Sequence, residues 1–87
     1  VVEVAVQVTV RYFAAARAAA GVDDETVGLP AGTTVGALVG GLAERDGELA
    51  KVLTRCSYLC DGIAVRDLDM TLRDAQTVDV LPPFAGG

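Results

Sequence analysis

From Val4 to Tyr12 the chain alternates, with valine at positions 4, 6, 8 and 10 and Gln7, Thr9 and Arg11 facing the other way. A period of two is that of a half-buried strand, which Phe13 closes. The following Ala14-Ala15-Ala16-Arg17-Ala18-Ala19-Ala20 has high helix propensity and is stopped by Gly21, so a short helix is predicted there. Asp23-Asp24-Glu25 reads as a polar turn and Thr26–Leu29 as a second short strand ended by Pro30. Thr33 or Thr34 is placed to cap the next helix, whose Val35, Leu38, Val39 and Leu42 fall at i, i+3, i+4 and i+7 on one face. Glycines at 36, 40 and 41 cost that helix up to about 1 kcal/mol each relative to alanine, so packing must hold it. Leu49, Val52 and Leu53 either extend the helix or form another turn. Ser57–Cys60, Asp61-Gly62 and Ile63–Val65 read as strand, tight turn and strand, because Asp-Gly takes the positive φ values of a two-residue hairpin. Leu68 to Asp74 shows no period, and Thr77–Leu81 is the last strand.

The first and last strands are the most apolar, which predicts that they are neighbours at the centre of a sheet. The order of elements fits an α+β roll of the ubiquitin type, one mixed sheet with one principal helix packed across it. Eighty-seven residues supply a single core. The expected division is a domain over residues 1–81 and an extended tail over 82–87.

Charge and composition narrow the chemistry. Twelve acidic against seven basic side chains leave a net charge of −5, which argues against nucleic acid as a partner. No apolar run reaches the roughly 18 residues of a membrane span, since Arg17, Gln7 and Thr9 interrupt the candidates. With no basic, apolar leader in view, the cytoplasm is the expected location. Histidine is absent, and with it the commonest general base and metal ligand, so no metal site is expected. On one strand Cys56 and Cys60 would be about 13 Å apart, too far for a disulfide, and they are expected to be reduced core thiols.

That leaves the ending Leu81-Pro82-Pro83-Phe84-Ala85-Gly86-Gly87. Pro82-Pro83 ends the strand and continues it as a stiff extended segment. Six residues beyond Leu81 reach at most about 20 Å at ~3.3 to 3.6 Å each. Gly86 and Gly87 keep the tip thin enough to enter a narrow cleft. A terminal Gly-Gly alone also suits a frayed end, but this one follows an apolar strand without a linker.

The stretch Arg11-Tyr12-Phe13-Ala14-Ala15-Ala16-Arg17, the capped helix after Thr34 and the ending from Leu81 to Gly87 together resemble the small sulfur-carrier subunit of molybdopterin synthase, a β-grasp family. The likeness extends from Val6 onward and is most specific at the tail. It implies that the chain is not an enzyme by itself. An activating enzyme uses ATP to adenylate the Gly87 carboxyl, a sulfurtransferase supplies sulfur, and Gly87 becomes a C-terminal thiocarboxylate. The implied role of Pro82, Pro83, Phe84, Ala85 and Gly86 is to enter the partner. There, in the large catalytic subunit, sulfur passes to a cyclic pyranopterin monophosphate, in an implied heterotetramer. No tightly bound cofactor is implied, since the sulfur is carried covalently. Phe13, Arg17 and Leu81 match docking positions, although Phe13 and Leu81 also suit plain core and Arg17 plain surface.

Three departures from the family pattern stand out. Ala18 replaces a frequent glutamate, Ala75-Gln76 a usual Gly-Asp, and Asp61 a frequent asparagine at the hairpin. Other readings of the same ending are a carrier for thiamin or cysteine synthesis, a ubiquitin-like modifier joined to target lysines, and an interaction domain with an unreactive tail.

Overall fold

The computed structural model describes residues 5–83. Its elements are β1 (Ala5–Tyr12), α1 (Ala14–Ala20), β2 (Asp24–Pro30), α2 (Val35–Arg45), α3 (Gly47–Leu53), β3 (Ser57–Cys60), β4 (Ile63–Ala64) and β5 (Thr77–Leu81). The strands form one sheet in the order β2-β1-β5-β3-β4. β1 and β5 run parallel at its centre, with Arg11 opposite Asp79 and Tyr12 opposite Val80, and the other neighbours are antiparallel. This mixed sheet with a principal helix across one face is the β-grasp arrangement, with the two apolar strands adjacent as their patterns required.

Alternation decides which side of the sheet is covered. Val6, Val8, Val10 and Tyr12 of β1, Val78 and Val80 of β5, and Tyr58 and Cys60 of β3 are all buried. They meet Val35, Leu38 and Leu42 of α2, Leu49 and Leu53 of α3, and Ala16 of α1. Each fully buried valine or leucine stabilises the fold by roughly 1.5–3 kcal/mol, so this face carries most of the stability. Val39, the remaining residue of the predicted stripe, is half-buried at the margin of the core.

The helix ends follow the local chemistry. Gly21 takes φ 80° and its N–H donates to Arg17 O at 2.9 Å, which closes α1. Of the two candidate threonines it is Thr34 that caps α2, its hydroxyl accepting from Ala37 N at 3.1 Å. α3 is a separate helix: Asp46, extended at φ −153°, breaks α2, and its carboxylate caps α3 by accepting from Glu48 N and Leu49 N.

Several expectations need correction. β2 starts at Asp24 and includes Pro30, because register with β1 pairs Arg11 with Asp24 and Ala5 with Pro30, and an edge strand tolerates proline. β4 stops at Ala64, although the Val65 N–H still donates to Tyr58 O. Cys56 precedes β3 rather than lying on it, and its half-buried thiol donates to Val52 O at 3.2 Å. Both cysteines are free, and burial pushes both thiols up, with Asp61 adding to the effect on Cys60. The three α2 glycines differ in their surroundings. A Cβ at Gly36 would meet the backbone oxygen of Leu68 at 3.2 Å, whereas one at Gly40 or Gly41 would meet nothing within 4 Å.

The segment without a period has its own logic. Gly36 N donates to Leu68 O, Val35 N to Met70 O and Leu72 N to Thr33 O, all at 2.8–2.9 Å. Residues 68–72 thus satisfy N–H groups at the start of α2 that no helix can satisfy internally. Leu72, 2% exposed, is the single anchor that seats the segment in the core. Among the described residues no helix is long and apolar enough to cross a membrane.

Candidate functional site

β5, between β1 and β3, ends at Leu81 immediately before the proline pair. Leu81 is half-buried and opposite Ser57 of β3, Pro82 is half-buried, and Pro83 is exposed. The strand therefore leads from the sheet centre straight into the proline pair, which ends the ladder because proline has no N–H. Phe84, Ala85, Gly86 and Gly87 lie outside the described residues.

Two of the three expected docking residues come together here. The Phe13 N–H donates to Val80 O at 3.3 Å, which sets Phe13 beside Leu81, and Phe13 stays 38% exposed. It is a surface residue rather than core. Arg17 lies one turn further along α1, with its Nε 3.7 Å from the Asp23 carboxylate and both side chains largely exposed.

Sequence reasoning missed the charged pair between β1 and β5. Arg11 Nε and Nη2 donate to Asp79 Oδ1 and Oδ2 at 2.6 and 2.8 Å, and Asp79 is 6% exposed. The hydrogen bond to Asp79, reinforced by its charge, raises the Arg11 guanidinium above its ordinary range. No local signal joins residues 68 positions apart, and only the parallel register makes them partners.

A second polar cluster ties the opposite edge to the helix layer. The Tyr12 hydroxyl donates to Glu25 Oε2 at 2.8 Å and Arg45 Nη1 to Glu25 Oε1 at 2.8 Å. Burial alone would raise the Glu25 carboxyl, but the bonds from Arg45 and Tyr12 outweigh it and hold the group below the usual range. Burial, then the bond to Glu25, pushes the Tyr12 phenol well up. This cluster joins β1, β2 and α2.

An open groove of about 570 Å³ flanks the tail root on the helix side, lined by Ala15, Lys51, Val52, Thr54, Arg55, Pro82 and Pro83. Its two cations were not singled out from sequence, where Lys51 and Arg55 look like ordinary surface charge. Among the described residues no group of three or more aspartate, glutamate or cysteine side chains is arranged to hold a metal ion.

The ThiS family profile matches residues 10–87, from β1 through the glycine pair. The chain belongs to the ThiS family. It is 32% identical over 82 residues to the molybdopterin synthase sulfur carrier subunit of Chlamydomonas reinhardtii, covering 93% of this chain and 99% of that one. Among solved structures it resembles a Pyrococcus furiosus protein described as subunit 1 of molybdopterin converting factor, with a TM-score of 0.82, 31% identity, and coverage of 90% and 98% of the two chains. Two further structures share the fold. Small archaeal modifier protein 1 of Methanosarcina acetivorans has a TM-score of 0.81 at 23% identity, over 97% and 99% of the chains. The complex of subunits 1 and 2 of the molybdopterin-converting factor of Helicobacter pylori has a TM-score of 0.69 at 20% identity, over 93% and 99%. As a ThiS family member the chain is a small sulfur-carrier homologue in which Phe13, Leu81 and the whole tail fall inside the matched region.

Proposed function

We propose that this protein carries sulfur for molybdopterin synthesis on the carboxyl group of Gly87. The observation that carries the reading is that the family match runs through Gly86-Gly87, on a chain aligned over nearly the full length of a sulfur carrier subunit. A carboxylate is a poor electrophile. An activating enzyme therefore joins a Gly87 oxygen to the α-phosphorus of ATP, with pyrophosphate leaving, and the acyl-adenylate that results is open to attack. The terminal sulfur of a sulfurtransferase persulfide attacks the acyl carbon and displaces AMP. A second thiol then cleaves the resulting acyl disulfide and forms a disulfide with the sulfurtransferase, and the thiocarboxylate so released is a nucleophile. In the large synthase subunit it gives sulfur to a cyclic pyranopterin monophosphate, the two subunits forming a heterotetramer. ATP belongs to the activating enzyme, so the carrier binds no cofactor tightly. The free thiols of Cys56 and Cys60 suit a reducing compartment, the cytoplasm.

The division of labour explains the domain's design. A thin tail of Pro82-Pro83-Phe84-Ala85-Gly86-Gly87 enters a cleft, and the rigid sheet end with Phe13 and Leu81 sets where that tail starts. The acid-base groups then belong to the partners. Intact-mass spectrometry of protein co-expressed with its activating enzyme is expected to show one oxygen-for-sulfur exchange at the C-terminus. Unchanged mass under active sulfur supply would sink this reading. Reconstitution with the large subunit and the cyclic pyranopterin then separates the pterin role from sulfur delivery to thiamin or cysteine.

A modifier role shares the activation step and differs in the acceptor, a lysine amine in place of sulfur. The likeness to the archaeal modifier is one of fold alone. An immunoblot ladder in lysate prepared without thiols, lost on deleting Gly86-Gly87, would decide for the modifier.

A further inference from the structure

The sheet's open face carries one charged pair beside the tail root, and an exposed aromatic ring is tied to it. Arg11 and Asp79 are direct partners across the parallel ladder, so both side chains project from the same face. The two-point bond at 2.6 and 2.8 Å is a fork that fixes the plane of the guanidinium as well as its distance. Asp79 is almost wholly covered, while half of the Arg11 side chain remains in solvent. The guanidinium carbon lies 5.7 Å from the centroid of the Phe13 ring, within the range of a cation–π contact. The backbone at Phe13 is constrained too. Its N–H is bonded to Val80 O, and Ala14, the next residue, sits at φ 49° in the left-handed region. Strain of this kind persists where the surroundings over-determine a conformation, and it is concentrated at functional sites.

Each link restrains the next. Asp79 is seated in the sheet, Arg11 is forked to Asp79, and the ring of Phe13 lies against Arg11. Without the guanidinium, the half-exposed ring at a strand end would have several rotamers open to it. Ordering such a ring only on binding weakens association, whereas a ring ordered beforehand does not incur that loss.

We propose that Asp79 and Arg11 are positioning residues that hold Phe13 as a pre-oriented aromatic anchor for the enzyme that adenylates Gly87. This rests on the carrier reading, and it adds that the enzyme presents an apolar slot for the ring. Continuity with the tail places the contact, since Phe13 is bonded to the residue before Leu81 and whatever grips the tail passes its root.

The test compares wild type, Asp79→Asn, Phe13→Ala and the double variant. It reads the nuclear Overhauser contact between the Phe13 ring and the Arg11 side chain, and the dependence of ATP–pyrophosphate exchange on carrier concentration. Asp79→Asn, with wild-type amide dispersion, is expected to lose the ring contact and to raise the KM for the carrier by about fivefold at unchanged kcat. Phe13→Ala raises it at least as far, and Asp79→Asn adds nothing in that background. Unchanged KM in Asp79→Asn beside a raised KM in Phe13→Ala overturns the proposal, as do fully additive effects. If Asp79→Asn fails to fold, Arg11→Lys replaces it, keeping the charge without the fork. No exchange with wild type overturns the carrier reading instead. The ring contact then decides alone, and its survival in Asp79→Asn overturns the positioning role.

Discussion

Ala75 holds φ 67°, a left-handed conformation that costs an L-residue about 1–2 kcal/mol and glycine almost nothing. Ala75 is one of the departures read from sequence, so that departure has a physical cost, and the next residue shows what accompanies it. The Gln76 side chain accepts from Arg73 N at 2.7 Å and donates to Asp61 Oδ2 at 3.2 Å. Asp61 in turn accepts from Thr77 N at 3.0 Å. Gln76 and Asp61, two of the departures read from sequence, are therefore bonded to each other, and together they brace the turn before β5. Ala75→Gly is expected to stabilise the protein by about 0.5–1 kcal/mol, the relief of strain less the added freedom of the unfolded chain. Urea titration measures it, and a loss of stability would show that the left-handed conformation carries no strain. Tyr58 offers a pH test at the same scale. Its hydroxyl donates to Leu53 O at 2.9 Å, and burial, with a smaller push from Cys56, raises the phenol to about 12. Below the unfolded value near pH 10 both states are protonated and the contribution is whole. Between about pH 10 and 12 only the unfolded state ionises, so stability falls as pH rises. Tyr58→Phe is expected to cost about 1 kcal/mol at neutral pH and to flatten that alkaline decline.

Among the elements, α2 gives the sharpest test of packing against propensity. Gly40 and Gly41 face open space, so Gly40→Ala and Gly41→Ala should each stabilise by up to about 1 kcal/mol. Gly36→Ala should yield less or destabilise, because its new methyl would sit 3.2 Å from Leu68 O and 3.3 Å from Leu68 Cβ. Thermal melts of the three variants check the ranking, and equal gains would refute the close approach at Gly36. Period identified most elements: valine alternation found β1, the four-residue stripe found α2, and the Asp-Gly pair, with φ 50° and 81°, found the β3–β4 turn. It failed where long-range partners set the outcome. Residues 68–72 gain their order from the start of α2, and the first residue of β2 is set by pairing with β1. α3 gave an apolar cluster but no decision between extension and a new helix. That depended on whether Asp46 would keep helical dihedrals or turn its carboxylate onto the next N–H groups.

For the whole molecule, the parallel β1–β5 pair joins the first strand to the last, so the tail root is anchored in the centre of the sheet and not at a fraying edge. Function on this reading depends on a rigid base and a thin tip. Gly86→Val, or one residue added after Gly87, is expected to leave the melting temperature unchanged and to abolish sulfur transfer in the reconstituted synthase. Unfolding of either variant would show instead that the tail is structurally required. The amino-acid order by itself determined which faces of β1 and α2 enter the core and where the proline pair and terminal glycines lie, because side-chain alternation, proline and glycine act through the local backbone. It also carried the family resemblance, since the tail motif is contiguous. Tertiary structure alone decided that Arg11 meets Asp79, that Phe13 is turned out beside Leu81 while Arg17 is directed to Asp23, and that a groove flanked by Lys51 and Arg55 borders the tail root. Those outcomes depend on the register between strands far apart in the chain, and register is set by the sum of all core contacts, which no single stretch of sequence contains.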